Sequence, residues 1–145
     1  MRRRNSLLAL AAALTLVLIM SASVASAASQ RALAVRIDLS GANEVPPADA
    51  DATGTAIIVV VPAIDMVCWH LDWDDVDGTV VAAHIHGPAP AGVNAGILVP
   101  LTVDPAQGCT TDSDADAIAA APWNYYVNVH SSPNFPGGAI RGQLQ

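Results

Sequence analysis

Two of the four histidines in this 145-residue chain lie one residue apart, at the end of a pattern typical of a β-strand. They are His84 and His86 in the stretch Ala82–Ala89, and a Gly87-Pro88 turn follows directly. Successive side chains of an extended backbone point to opposite faces, so both imidazoles share one face of the strand. That spacing allows two ring nitrogens from one strand to reach a common Zn²⁺ or Cu²⁺ ion.

A third histidine, His130, ends a second strand pattern that starts at Tyr125. If the two strand ends are neighbours, three imidazoles converge into a candidate metal site. We expect its metal affinity to fall below about pH 6, as protons compete for the ring nitrogens. The alternative is a structural polar cluster without metal, because histidines at strand ends also hydrogen-bond to nearby backbone carbonyls.

The first 27 residues predict a secretory signal peptide. Three arginines near the amino terminus precede an uncharged apolar run over Leu7–Met20, and Ala25-Ser26-Ala27 has the pattern that signal peptidase cleaves. We therefore expect a mature protein that starts at Ala28 and forms a single domain over residues 28–145. A retained membrane anchor is the alternative, but the apolar run is shorter than the roughly 20 residues that a membrane-spanning helix needs.

Without this leader the chain is strongly acidic, with 3 arginines against 13 acidic residues and no lysine, a formal net charge of −10. Such a surface repels phosphate backbones and anionic lipid headgroups. We therefore expect neither nucleic acid nor, after signal cleavage, a membrane as partner. The remaining class of partner is an extracellular ligand or protein, which the composition does not identify.

Cys68 and Cys109 are the only cysteines. In the oxidising compartment that secretion implies, a single pair has one intramolecular connectivity, so a disulfide is predicted. The bridge would tie the weakly patterned segment 102–122 to a core strand, and the loop-entropy model gives it about 3–4 kcal/mol. Two free thiols are the alternative.

The mature sequence consists of short alternating or β-branched segments separated by turn residues, which predict strands. These segments are 33–40, 55–61, 66–73, 79–86, 95–101, 123–130 and 139–144. One short helix is expected to start at Asp112 or Asp114 and to end before Pro122. The acidic run Thr111–Asp116 is not a calcium loop. It lacks the required glycine, and Trp123 stands where such a loop has its final glutamate. The pattern favours an all-β fold, an antiparallel β-sandwich of about seven or eight strands.

Three further polar residues are expected to form a structural polar cluster: Glu44, Asn128 and Arg141. Glu44 lies in a proline-containing loop, where it can accept hydrogen bonds from local amides or act as an acidic ligand. Arg141 is the one basic residue in the second half of the chain. It can pair with a carboxylate such as Glu44 or stay free for a ligand.

Four motifs follow one another in the mature chain: LSGANEVPP at 39–47, AHIHGPA at 83–89, YVNVHS at 126–131 and FPGGAIRGQL at 135–144. In this order they resemble the CHRD domain, which is named for chordin and is also found in secreted bacterial proteins. The resemblance implies an extracellular all-β module, and it implies no general enzymatic activity.

Two classes of function follow. The first is a secreted, non-catalytic binding or structural module, in which the histidine cluster either binds a metal or is only a polar element of the fold. The second is a copper/zinc-binding redox protein, because the H-x-H strand, the later histidine, the disulfide and Gly-Gly-x-x-Arg ending at Arg141 are faintly similar to superoxide dismutase. That family's zinc loop has no counterpart between His86 and His130, so copper would use the three histidines with His70 as a fourth ligand. No nucleophile elbow, phosphate loop or paired-carboxylate site occurs, and we expect no enzyme.

Overall fold

Eight antiparallel strands and one short α-helix form the fold in a computed structural model that describes residues 31–145. The strands are β1 (Leu33–Ser40), β2 (Thr53–Val61), β3 (Met66–Asp74), β4 (Thr79–His86), β5 (Ile97–Leu101), β6 (Gln107–Thr111), β7 (Tyr126–Ser132) and β8 (Ile140–Gln143). The helix, α1, is Ala115–Ala120, and 3₁₀ turns cover Gly41–Asn43, Pro62–Ile64 and Pro122–Asn124. The predicted all-β class with one short helix is confirmed.

The strands follow one another in the order β5-β4-β7-β8-β1-β2-β3-β6. At the middle of this order, β8 and β1 are paired at one position only, between Arg141 and Ser40. The sheet therefore folds into two four-stranded halves that pack as a sandwich. Because β5 and β6 are consecutive in the chain, the short segment between them brings the two edges together. There the Trp69 Nε1–H donates to the Thr102 carbonyl and the Leu71 N–H to the Ala106 carbonyl.

Alternation along the strands builds the core between the two halves. Eight inward-facing residues are fully buried and β-branched: Ile58, Val60, Val67, Ile85, Val99, Val127, Val129 and Ile140. Although β2 is a continuous apolar run, only one of its faces is buried, since Ile57 is 42 % exposed. From outside the sheet, α1 adds Ala115 and Ile118 to the core.

Strand β6 lies in the segment 102–122, where no strand was predicted. Its sequence, Gln-Gly-Cys-Thr-Thr, lacks alternating apolar residues, and the strand exists through its backbone pairing with β3. In that pairing Cys68 lies directly opposite Cys109, and the two form a disulfide. The helix begins after Asp114, but no side chain caps it, and the Asp112 carboxylate accepts the Asp114 N–H instead.

The predicted signal peptide and the start of the mature chain at Ala28 lie outside the described residues. Over residues 31–145, the structure contains no helix of the length and apolar character required to cross a bilayer. The α-helix described there has 6 residues, whereas a span needs roughly 20.

Candidate metal centre

The candidate centre lies on the outward face of two adjacent strands, β4 and β7. Their antiparallel register places Ala82 opposite His130, His84 opposite Asn128 and His86 opposite Tyr126. Because the intervening residues point into the core, these side chains point away from it. Sequence alternation predicted the shared face of His84 and His86, and the register adds His130 to it.

The three predicted histidines converge. One potential ligand atom from each of His84, His86 and His130 lies within 4.8 Å of the others. The closest approach is between His84 Nδ1 and His130 Nε2, at 3.1 Å. Ring centroids are 4.9 Å apart for that pair and 5.5 Å apart for His84 and His86.

Backbone carbonyls determine which nitrogen of two rings carries the proton. His86 Nδ1 lies 3.1 Å from the Ala95 carbonyl oxygen, and His130 Nδ1 lies 3.1 Å from that of Pro136. A carbonyl oxygen can only accept, so each Nδ1 carries hydrogen and each neutral ring keeps a lone pair at Nε2. Metal-binding histidines are typically oriented by such carbonyl contacts.

His86 Nε2 has no hydrogen-bond partner among the described residues, although it is buried. The whole residue is only 7 % exposed. Buried polar atoms are nearly always satisfied, so an unpaired ring nitrogen beside two other imidazoles calls for a physical explanation. A metal ion bound by the cluster would supply the missing partner.

The electrostatics of the cluster keep the rings neutral. Burial lowers the pKa of His84 to about 4, with smaller contributions from the neighbouring His130 and His86. Burial likewise lowers the pKa of His86 and that of His130. Neutral imidazole is the form that binds metals, so the site is prepared for a cation at neutral pH.

The loop after β4 covers one side of the cluster and supplies the Ala95 carbonyl. This loop is attached to the rest of the domain through the Ala89 N–H, which donates to the Asn124 carbonyl, and through the Ala95 N–H, which donates to the Tyr126 hydroxyl. The Tyr126 ring stacks on the His86 ring, with centroids 5.0 Å apart and planes 3° from parallel. These contacts hold His86 in one orientation.

A family model for the CHRD domain matches residues 35–144, a span that contains all three histidines and both cysteines. The chain belongs to the CHRD domain family. No curated protein and no solved structure gives a significant match.

A second polar group of this CHRD domain lies beside the histidines on the same outward face. Glu44 Oε1 accepts a hydrogen bond of 2.6 Å from Asn128 Nδ2, and both residues are buried. Burial raises the pKa of Glu44 to about 7, an effect that the nearby Arg141 charge and the Asn128 hydrogen bond reduce. In this contact Glu44 is a hydrogen-bond acceptor, and its donor is the side chain of Asn128.

Arg141 does not form the direct ion pair with Glu44 that the sequence suggested. Among residues 31–145 the ion pair within 4 Å is the exposed Arg36–Asp38 pair. The Arg141 side chain instead donates from Nη1 to Asn94 Oδ1 at 2.8 Å, and its guanidinium carbon lies 4.2 Å from the centre of the Tyr126 ring. The Arg141 side chain extends toward the loop after β4, while the Glu44 carboxylate accepts its hydrogen bond from Asn128.

His70 is not part of the centre of this CHRD domain. It lies on β3, in the other half of the sandwich, where it is exposed and has its Nδ1 3.3 Å from Gln107 Oε1. Sequence reasoning also missed the residues that orient the ligands. Alternation from His130 places Tyr126 on the same face and could have identified it, whereas nothing in a sequence marks the carbonyls of Ala95 and Pro136.

Proposed function

We propose that this CHRD domain is a secreted, non-catalytic binding module of the bacterial type that holds one Zn²⁺ or Cu²⁺ ion. The ligands are His84 Nδ1, His86 Nε2 and His130 Nε2. The observation that carries the proposal is the buried, unpaired Nε2 of His86 inside a cluster of three imidazoles. Leaving such an atom unsatisfied costs about 1–3 kcal/mol, a cost that a metal–nitrogen bond removes.

The donor set suits a borderline transition metal. Three neutral imidazoles favour Zn²⁺ or Cu²⁺ over Ca²⁺ and Mg²⁺, which prefer oxygen ligands. Without metal, His84 Nδ1–H donates to His130 Nε2, since that Nε2 has no proton. With metal, the His84 proton moves to its Nε2, so that Nδ1 can bind the ion. Three protein ligands also leave a coordination position for water or for a group from a partner.

Secretion and the absence of catalysis are further parts of the proposal. Family membership and the Cys68–Cys109 disulfide support an extracellular location, because disulfides persist in oxidising compartments. Amino-terminal sequencing of the protein recovered outside the producing cell should start at Ala28. Recovery of the intact leader in a membrane fraction would contradict secretion by signal cleavage.

A copper-based redox protein is the alternative, and the described chain offers it less support. Residues 31–145 contain one cluster of three or more candidate metal ligands. A second metal ion beside the first would therefore have no comparable set of ligands among these residues. Copper-loaded protein should therefore dismutate superoxide no faster than the His84→Ala variant mixed with the same amount of copper. A clearly faster wild-type rate would favour the redox alternative.

Metal binding is tested directly on protein stripped with a chelator. Zn²⁺ or Cu²⁺ should bind with a stoichiometry of one by calorimetry and raise the melting temperature, since saturation at a hundred times Kd adds about 2.7 kcal/mol. His84→Ala and His130→Ala should each lose most of that rise. His70→Ala, which removes an exposed imidazole outside the cluster, should keep it.

Two results would reject the metal site. One is wild-type protein that shows neither heat of binding nor a change in melting temperature. The other is an equal loss in the His70→Ala control, which would indicate unspecific binding to surface histidines. In either case the three histidines form only a polar element of the fold.

A further inference from the structure

A polar cavity of about 380 Å³ lies where β1 and β8 adjoin the loop after β4. Its walls include Arg36, Asp38, Asn43, Gly92, Arg141 and Gln143, and none of the three clustered histidines contributes to it. We call it the β1–β8 cavity. Its volume is within the range of small-molecule sites.

The β1–β8 cavity concentrates the positive charge of the domain. Residues 31–145 contain three arginines and no lysine, against 13 acidic residues. Two of those arginines, Arg36 and Arg141, line this one cavity, together with one acidic side chain, Asp38, and Gln145. In a chain this acidic, two arginines in the lining of one cavity favour an anion there.

Of the two arginines, Arg141 gives the stronger evidence for an anion site because it is buried, with 2 % of its surface exposed. Its described partners are neutral: Asn94 Oδ1 at 2.8 Å, the Val93 carbonyl at 3.5 Å and the face of the Tyr126 ring. No carboxylate of the described residues lies within 4 Å of it, and the Glu44 carboxylate, whose pKa the Arg141 charge lowers, accepts its hydrogen bond from Asn128 instead. A guanidinium group stays charged at any physiological pH, and buried charges are normally paired with an opposite charge.

Arg36 differs from Arg141 in that its side chain is exposed. Its side chain is 65 % exposed and meets Asp38 only at 3.6 Å. An exposed ion pair of this kind contributes little free energy, about 0–1 kcal/mol, so Arg36 can leave it at small cost. Asp38 then competes with an incoming anion for the same guanidinium group.

We propose that the β1–β8 cavity binds a small organic carboxylate. The planar carboxylate matches the fork of a guanidinium N–H pair, which allows two parallel hydrogen bonds. Its single charge suits the surroundings, because the acidic remainder of the domain disfavours polyanions. Since the cavity shares no ligand residue with the histidine cluster, the proposal does not depend on metal binding.

The test uses chelator-stripped protein in which backbone amide and arginine side-chain signals are followed by heteronuclear NMR. Sodium acetate and sodium propionate are the probes, with acetamide as the uncharged isostere and sodium sulfate as an inorganic anion. Saturable shifts at Gly92, Gly142 and the Arg141 side chain are expected with the carboxylates. Acetamide should cause none, and sulfate should bind at least about threefold more weakly because the acidic domain disfavours its second negative charge.

Variants of exposed residues give the sharpest control because they leave the buried Arg141 in place. Arg36→Gln should weaken acetate binding by about two- to fivefold, the range for one exposed charge. Asp38→Asn should tighten it by a similar factor, since the competing carboxylate is gone. Arg31→Gln removes the same charge outside the cavity and should leave the affinity unchanged.

Three outcomes would overturn the proposal. Shifts that grow linearly with probe concentration would show that no site exists. Equal weakening by Arg31→Gln and Arg36→Gln would show a general effect of net charge. Equal affinity for sulfate and acetate would show an unselective anion site, with no preference for carboxylates.

Discussion

His84 Nδ1 lies 3.1 Å from His130 Nε2, although the two residues are 46 positions apart in the chain. The contact depends on the pairing of β4 with β7, in which Ala82 is opposite His130. Only one proton can lie between the two nitrogens, so the accepting ring, that of His130, must be neutral for the hydrogen bond to form. Protonation of both would bring two cations into contact, which is one reason for the low pKa of His84.

This low pKa predicts how metal binding depends on pH. Unperturbed imidazoles would lose metal below about pH 6, as the sequence alone suggested. Because burial and the two neighbouring rings lower the pKa of His84 to about 4, protons compete less well, and affinity should persist to about pH 5. Calorimetric titration of Zn²⁺ from about pH 7.5 to pH 5 measures this. A tenfold loss of affinity already near pH 6.5 would contradict it.

Glu44→Gln should change the pH dependence of stability. The folded-state pKa of Glu44 is raised from 4.5 to about 7. Between those values the folded state binds more protons than the unfolded state, so the free energy of unfolding falls as pH rises. Glutamine still accepts the hydrogen bond from Asn128 and cannot ionise. We expect the variant to be about 1–2 kcal/mol more stable than wild type at about pH 8 and similar to it near pH 5.

Urea unfolding at both pH values measures that difference for Glu44→Gln. Asp72→Asn, which removes an exposed carboxylate, controls for the change in net charge. If Glu44→Gln is destabilising at pH 8, then Glu44 acts mainly as a charged partner for Arg141, against this prediction.

Gly138→Ala should be strongly destabilising. A Cβ atom at this position would lie 2.6 Å from Asn128 Nδ2 and 2.7 Å from Glu44 Oε1, and the backbone has a φ of +133°. Steric overlap and unfavourable backbone conformation together should lower the free energy of unfolding by about 2–4 kcal/mol. Gly137→Ala is the matched control, since nothing lies within 4 Å of its added carbon. Equal costs for the two variants would contradict the close packing at Gly138.

The double variant Cys68→Ser/Cys109→Ser should lower the free energy of unfolding. The bridge closes a separation of 41 residues, for which the loop-entropy model gives about 4 kcal/mol. Mass spectrometry without reductant should show wild-type protein two hydrogens lighter than the dithiol. Chemical denaturation of wild type, with and without reductant, provides the comparison. A reduced wild type as stable as the oxidised protein would show that β6 pairing alone holds this edge.

The strands were predictable because their signal is local. Alternation with a period of two places Ile37 and Leu39 on one side and Arg36 and Asp38 on the other, without reference to the rest of the chain. The 33–40 and 79–86 segments are strands with the predicted bounds. Strand β6 was missed because its extended conformation depends on backbone pairing with β3, and its own sequence has no strand pattern.

By itself the sequence determined the all-β class, the shared face of His84 and His86, and the pairing of the only two cysteines. Each of these follows from local periodicity or from a count. The tertiary structure decided which strand lies beside β4, and hence that His130 joins the centre while His70 does not. It also decided that Arg141 meets Asn94 in place of Glu44, and that the carbonyls of Ala95 and Pro136 orient the rings. Strand register and the course of loops depend on contacts between residues that are distant in the sequence. Every residue has a backbone carbonyl, so no sequence pattern marks the carbonyls that orient the histidine rings.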